Sequence, residues 1–304
     1  MILSPLWLPV TLAAALFQCW RTALQQRLRG QLSVNGAAVV RYLYGVPVGA
    51  ALLCLYLLLA GGALPAPNAA FLAFCAAGGL AQILGTNLLI MAFGHRGFAV
   101  GTAYAKTEAV QGAVLALVLL GERVSPLAWL GIAVGVAGVL WLSLAGRSLG
   151  ARELLRATAQ PAALCGLAAG TGFAFSAVLI KAANTALPGD DPVLRSLAAL
   201  VVINTMQTAM QGGWLLAREP AQLRAVFGTW RSSAQVGALS ACGSACWFTG
   251  FALAPVALVR AVGQVEILFT LLFSRFYLGE TPSRSEIGGA LVLVLGVVLV
   301  LAGR

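Results

Sequence analysis

Ten mostly apolar stretches follow one another along the chain, near 5–26, 34–60, 68–93, 98–120, 126–146, 161–183, 191–217, 232–253, 255–278 and 286–302. A helix needs roughly 20 such residues to cross the ~30 Å hydrocarbon layer of a bilayer, and only helices and closed barrels satisfy their backbone polar groups there. These runs are long and rich in Leu, Ala and Val, without the alternating pattern of membrane strands, so they read as helices. The breaks between them coincide with turn chemistry: Gly61-Gly62 with Pro65 and Pro67, Ser125-Pro126, Pro188-Gly189-Asp190-Asp191-Pro192, Glu219-Pro220 and Thr281-Pro282. The chain is expected to be an all-α membrane protein with ten transmembrane helices.

Composition excludes the main alternatives. With 60% hydrophobic and 9% charged residues, the chain is far from the roughly 25% charged content of soluble domains. A disordered chain, a disulfide-stapled secreted domain and a soluble enzyme are all ruled out, because the apolar residues run along the whole length. The net charge of +10 comes from 19 Lys and Arg scattered singly between apolar runs, which is no nucleic-acid patch. All six cysteines fall inside apolar runs, where a thiol behaves as a small buried hydrophobe. Cys242 and Cys246 share a helix face at i, i+4, but a metal would need further ligands and the only histidine is His95, so neither a metal site nor a cofactor is expected. The N-terminus lacks a basic region ahead of its apolar run and reads as a first span, not a removable signal.

The two halves of the chain, 1–150 and 151–304, resemble each other. Glu108 and Glu122 are 14 apart (122 − 108), and Glu266 and Glu280 repeat the interval (280 − 266), with one offset of 158 relating both pairs. The same shift takes Gly85 to Gly243 and Phe93 to Phe251, while a shift of 154 takes Arg27 to Lys181 and Arg41 to Arg195. A duplicated five-helix unit explains this. Because five is odd, the second unit enters the membrane the other way up, giving two inverted five-helix repeats about a pseudo-two-fold axis in the membrane plane.

The Gly-Glu pair closing the fourth helix of each half (Gly121-Glu122, Gly279-Glu280) is followed by a Gly-rich fifth helix (Gly131, Gly135, Gly138; Gly288, Gly289, Gly296), and an Arg lies early in each second helix (Arg41, Arg195). In these features the chain resembles the drug/metabolite transporter superfamily, specifically ten-helix proteins with two EamA-type domains. The resemblance implies a secondary carrier that moves small metabolites, often outward, through a cavity between the halves. It implies one EamA-like repeat in residues 1–150 and a second in 151–304. Glu108 and Glu266 stand where family members often carry an apolar residue or Pro.

A charge at the bilayer centre costs on the order of 2.5–3.5 kcal/mol, so each intramembrane ion needs a partner, water or a task. Glu108 and Glu266 each fall near the middle of a predicted span, where inverted-repeat carriers keep substrate and ion sites, and they are the candidate proton carriers. The bland alternative is a buried ion pair with Arg21, Lys106 or Arg260. Tyr104, Glu108 and Gln111 form one polar stripe at i, i+4, i+7, and Arg260 with Gln264 a shorter one. Arg21, with Gln18 and Gln25, forms a third. Trp20, Tyr104 and Trp247 are candidate cavity linings, and Trp20 and Trp247 with Tyr42, Tyr44, Trp214 and Phe248 offer ring faces to an organic cation. Arg41 and Arg195, near helix ends, are expected to snorkel or bond those ends. Glu122 and Glu280 are expected to cap the following helix, fixing the hairpin between fourth and fifth helices. Gly131-x-x-x-Gly135 and Gly166-x-x-x-Gly170 imply close backbone packing.

Counting connections from the N-terminus, the odd ones hold ten arginines (Arg27, Arg29, Arg96, Arg147, Arg152, Arg156, Arg218, Arg224, Arg231, Arg284), against three cations in the even ones and C-terminus (Arg123, Lys181, Arg304). The positive-inside rule then puts the odd connections in the cytoplasm and both termini outside, opposite to family precedent. The expected function is a secondary active transporter, an exporter of small polar metabolites such as amino acids or organic cations. It would work by alternating access, with protons as the candidate coupling ion, as a monomer or homodimer in the cell's inner membrane. Its partners would be the lipid bilayer and a small-molecule substrate, with no nucleic acid and no enzymatic activity. The competing reading is a non-transporting membrane scaffold or sensor with a vestigial cavity.

Overall fold

The computed structural model describes residues 4–92, 104–144, 160–273 and 283–304, and all regular structure there is helical. In chain order the helices are α1 (Trp7–Leu28), α2 (Val34–Leu43), α3 (Gly45–Ala60), α4 (Ala69–Ala92), α5 (Glu108–Leu120), α6 (Pro126–Leu144) and α7 (Pro161–Ala186). After these come α8 (Pro192–Gln207), a π-helical turn (Thr208–Gly212), α9 (Gly213–Arg218), α10 (Pro220–Gly228), α11 (Trp230–Leu253), α12 (Val256–Gly263), α13 (Glu266–Phe273) and α14 (Arg284–Ala302).

Seven helices among the described residues are long and apolar enough to cross a membrane: Val34–Ala60, Ala69–Ala92, Pro126–Ser143, Pro161–Ala186, Pro192–Arg218, Trp230–Leu253 and Arg284–Ala302. Three of the ten expected segments are not among them, and each for a visible reason. Gln18, Arg21, Gln25, Gln26 and Arg27 dilute the apolarity of α1. The segments at 98–120 and 255–278 are interrupted, with α5 beginning only at Glu108 and α12 ending at Gly263, ahead of α13.

Local chemistry explains the other boundaries. Between α2 and α3 the helix is interrupted at Tyr44, where Pro47 lacks the N–H that would bond the Leu43 carbonyl. Asp191 caps α8, its Oδ1 accepting from the N–H groups of Val193 (2.9 Å) and Leu194 (3.1 Å), with Pro192 at the first helical position. Ser283 and Glu286 form a reciprocal capping box at the start of α14.

The chain divides into two compact units, Met1–Ile83 with Ser176–Ala254 and Leu84–Phe175 with Pro255–Arg304. Each draws on both sequence halves. A sequence repeat and a packed unit are divisions of different kinds, so the boundaries at 150 and 151 keep their meaning only for the sequence.

In the first unit α1 lies along α11, where a Cβ on Gly243 would stand 3.3 Å from Phe17 Cβ. Gln207 at the end of α8 donates to the Gly79 carbonyl (3.0 Å) and to Gln82 Oε1 (2.8 Å) of α4. The second unit is built on α6 against α14 in antiparallel register: Gly131 meets Gly296 and Val300, and Gly138 meets Gly289 and Leu293. A Cβ on Gly131 would fall 2.6 Å from Val300 N and one on Gly138 2.5 Å from Leu293 N. These small residues therefore set the interhelix distance. Val139, Leu142 and Leu293 form the buried core beside this seam.

Candidate functional site

The second unit holds the cluster that the rare acids pointed to. Neither Glu108 nor Glu266 stands in mid-helix, as the sequence suggested; each opens a helix, Glu108 at the start of α5 and Glu266 at the start of α13. Ahead of each, the backbone takes tight i→i−3 bonds: Thr107 N to Tyr104 O (3.2 Å) in one case, Gln264 N to Ala261 O (3.3 Å) and Val265 N to Val262 O (3.1 Å) in the other. The i→i−4 ladder is interrupted at positions related by the offset of 158. Each carboxylate thus sits in a first turn, where free N–H groups and the helix dipole favour negative charge.

Two cations answer the two acids, and the partnership is crossed. Lys106, two residues before Glu108, pairs with Glu266 at 2.6 Å (Nζ to Oε2). Arg260, six residues before Glu266, pairs with Glu108 at 3.3 Å (Nη1 to Oε1). The four side chains are only 10 to 17% exposed. Such burial is tolerable because each charge has an opposite one in reach and the quartet is neutral in sum.

Neutral groups hold the quartet in place. Gln264 Nε2 donates to the Lys106 carbonyl (3.2 Å), and Arg260 Nη2 donates to the Phe173 carbonyl on α7 (3.1 Å). Gln111 Nε2 donates to Thr107 Oγ1 (2.9 Å), while Gln111 Oε1 accepts from Thr171 Oγ1 (2.7 Å). Gly170 brings α7 against the interruption: a Cβ there would lie 2.9 Å from Ala105 O and 3.4 Å from Glu108 N. The arrangement can bind an ion or proton on a carboxylate only by loosening a pair, so occupancy and pairing are coupled.

Of the residues singled out in the sequence, Glu108, Glu266, Gln111, Arg260 and Gln264 are brought together here. Tyr104 adds its backbone carbonyl, which accepts from Thr107 Oγ1 at 2.6 Å. Sequence reasoning missed Thr171 and Thr107. Their only signal was the ordinary one of a hydroxyl one turn from another polar residue. Lys106 had been weighed only as one of three possible ion-pair partners.

The remaining candidates belong to the first unit. Gln18 Oε1 accepts from Trp247 Nε1 (3.0 Å), and the Trp247 ring stacks on Phe251 with centroids 5.9 Å apart. Arg21 is buried on α1 and its Nη2 donates to Thr22 Oγ1 (3.3 Å), while Gln25 Nε2 donates to the Ala37 carbonyl (2.8 Å). Trp20 is exposed, as a lipid-facing aromatic would be. Arg41 does not snorkel: it is buried, with Nε donating to Ser240 Oγ at 3.1 Å.

Gly121 ends α5 in the left-handed conformation at φ 67°. Glu122 then caps a helix, though a different one from the helix expected: its Oε2 accepts from Val256 N, the first residue of α12, at 2.8 Å. Ser125 supplies the cap of α6 by accepting from Ala128 N (3.1 Å). The expected partners Gly279 and Glu280, like His95, lie outside the described residues.

Of the paired charges, Arg260 and Glu266 lie in the part of the chain for which a relationship is found, and Lys106 and Glu108 lie ahead of it. Residues 160–302 match the EamA-like transporter family. The EamA-like region runs from the start of α7 to the end of α14, within the residues 151–304 expected to form a second repeat, and it supports a place in the drug/metabolite transporter superfamily. Together with the seven apolar helices, it supports a multi-pass membrane protein of transporter type. A solved crystal structure of a protein is similar in fold over 96% of this chain and 98% of its own, with a TM-score of 0.72 at 18% identity. No curated protein matches the chain.

Proposed function

We propose that the protein is a secondary active transporter of the drug/metabolite superfamily, with ten spans in two inverted EamA-like repeats, exporting small polar metabolites by alternating access. The observation that carries this reading is the crossed quartet Lys106–Glu266 and Arg260–Glu108 at the interruptions of two helices. Broken helices, whose new ends expose free backbone groups and dipoles, are how carriers of inverted-repeat design hold substrate and ions. The antiparallel α6 and α14, meeting as Gly131 with Gly296 and Gly138 with Gly289, fit repeats of opposite orientation, since the shift of 158 maps Gly131 to Gly289 and Gly138 to Gly296.

The charge pattern supports the reading of the substrate class. Two carboxylates and two cations offer complementary groups to an amino acid or, through the acids alone, to an organic cation. Glu108 and Glu266 are the proton carriers in the coupled version, and the cell's inner membrane is the site of action. In proteoliposomes, a pH gradient should drive counter-directed flux of an amino acid or organic cation, and Glu108→Gln and Glu266→Gln should abolish the drive while leaving downhill exchange. Unchanged pH-driven flux in both variants removes the coupling claim.

One observation favours the second reading, of a scaffold or sensor without transport: the four charges satisfy one another. Counterflow across a panel of labelled metabolites separates the two. No solute accumulating under any gradient supports the scaffold.

A further inference from the structure

Three arginines sit together on the connection that joins two spans of the first unit, and no acid of the described residues pairs with them. Arg218, Arg224 and Arg231 are all exposed, and the ion pairs among the described residues lie elsewhere. Glu219 is the one acid between Asp191 and Glu266, and it is turned away from them: its Oε2 accepts from Ser33 Oγ (2.8 Å) and its Oε1 from Asn35 Nδ2 (3.2 Å). With three arginines against this one acid, the connection keeps a net positive charge.

We propose that the connection between α9 and α11, with α10 lying in the membrane plane, is an anchor that binds the phosphate headgroups of anionic phospholipid. Two spanning helices, Pro192–Arg218 and Trp230–Leu253, end and begin at its two sides. The nine residues of α10 cover only about 13 Å at 1.5 Å per residue, so the segment stays at the bilayer edge.

The orientation of α10 about its own axis is fixed by its neighbours. Its inner face carries Val226, fully buried, and Gln222, whose Oε1 accepts from Ser33 N at 2.8 Å. Tyr44 Oη donates to the Val226 carbonyl at 3.2 Å. The opposite face presents Arg224 and Phe227, three residues apart and both exposed.

Aromatic side chains complete the pattern. Trp214 lies one turn before Arg218; Trp230 stands beside Arg231, whose guanidinium is 5.6 Å from its ring centroid. Trp214, Phe227 and Trp230 are 46 to 57% exposed. Amphipathic rings settle at headgroup depth, and an arginine fork matches phosphate oxygens in paired hydrogen bonds. A basic, aromatic helix held in the interface prefers anionic over zwitterionic lipid, because only the former leaves net negative charge for the arginines.

The test uses the full-length protein in vesicles of phosphatidylcholine with phosphatidylglycerol, one lipid or the other brominated to quench tryptophan. The signal of Trp214 and Trp230 is the difference between the protein and its Trp214→Phe/Trp230→Phe variant. Brominated phosphatidylglycerol should quench it more strongly than brominated phosphatidylcholine at equal mole fraction. The preference should fall about fivefold in Arg224→Gln and about a hundredfold when Arg218, Arg224 and Arg231 are all replaced by Gln. Replacement of all three by Lys should retain most of it, which separates lost charge from lost fold. Equal quenching by the two lipids, a preference that survives the triple Gln variant, or its displacement by inorganic phosphate would each overturn the proposal.

Discussion

Lys106 and Glu266 are 160 residues apart in sequence and 2.6 Å apart in space, and Arg260 and Glu108 mirror them across the same small volume at 3.3 Å. Each acid opens one helical segment and finds its cation just ahead of the other. Neither interrupted helix could keep its own charge without its counterpart.

Removing one member of such a pair leaves an uncompensated buried charge. Lys106→Met or Glu266→Leu alone should lower stability by about 3 kcal/mol, whereas the double variant should come close to the parent, because an apolar pair avoids desolvation altogether. Thermal unfolding in detergent of the two singles and the double reads this directly. Additive losses would mean that the two side chains do not act on each other.

The seam between α6 and α14 should discriminate sharply among its glycines. At Gly138 a Cβ would lie 2.5 Å from Leu293 N and 2.8 Å from Leu293 Cα, while at Gly112 nothing approaches closer than 3.9 Å. Gly138→Ala should therefore cost about 2 kcal/mol or more by pushing two backbones apart, and Gly112→Ala should be neutral or slightly stabilising through helix propensity. Apparent melting temperatures of the two variants measure the contrast.

Glu122 joins the end of α5 to the start of α12 through Val256 N. Glu122→Ala should cost about 1–2 kcal/mol, the range for losing a helix cap. Gly121→Ala, one residue earlier at φ 67°, should add about 1 kcal/mol of backbone strain independently. Hydrogen exchange at the Val256 amide should rise in the first variant more than in the second.

Asp191 serves two elements at once, capping α8 through Oδ1 and accepting from Tyr56 Oη at Oδ2 (2.8 Å). Tyr56→Phe should remove about 1 kcal/mol and leave the cap in place, while Asp191→Ala should remove about 2 kcal/mol by breaking both. If the two variants lose equal stability, the cap contributes nothing.

How far the sequence could be read differs by element. Helicity and most apolar runs were legible because a period of lipid-length hydrophobic segments has few other meanings. Glu108 and Glu266 stood out because nine acids in 304 residues make any submerged one conspicuous. The interruptions ahead of them were not legible: Thr107 carries no Gly or Pro signal, and the break there is held by tertiary bonds, including that from Gln264 to the Lys106 carbonyl. The helix capped by Glu122 was misread for the same reason. A local rule assigns a cap to the next turn, whereas the bond spans 134 residues. Helix α10 was not legible, because its nine residues make no lipid-length apolar run, although Glu219-Pro220 offers a start signal.

At the wide turn Thr208–Gly212, Gln207 and Gln211 are both buried. A π turn holds one residue more than the regular helix, and each residue in an α-helix advances about 100° about the axis. Were that extra residue carried in a regular helix instead, Trp214 and Arg218 would be swung through that angle. The azimuth at which this end of the span greets its surroundings is thus stored one coil upstream, in an irregularity that looks local.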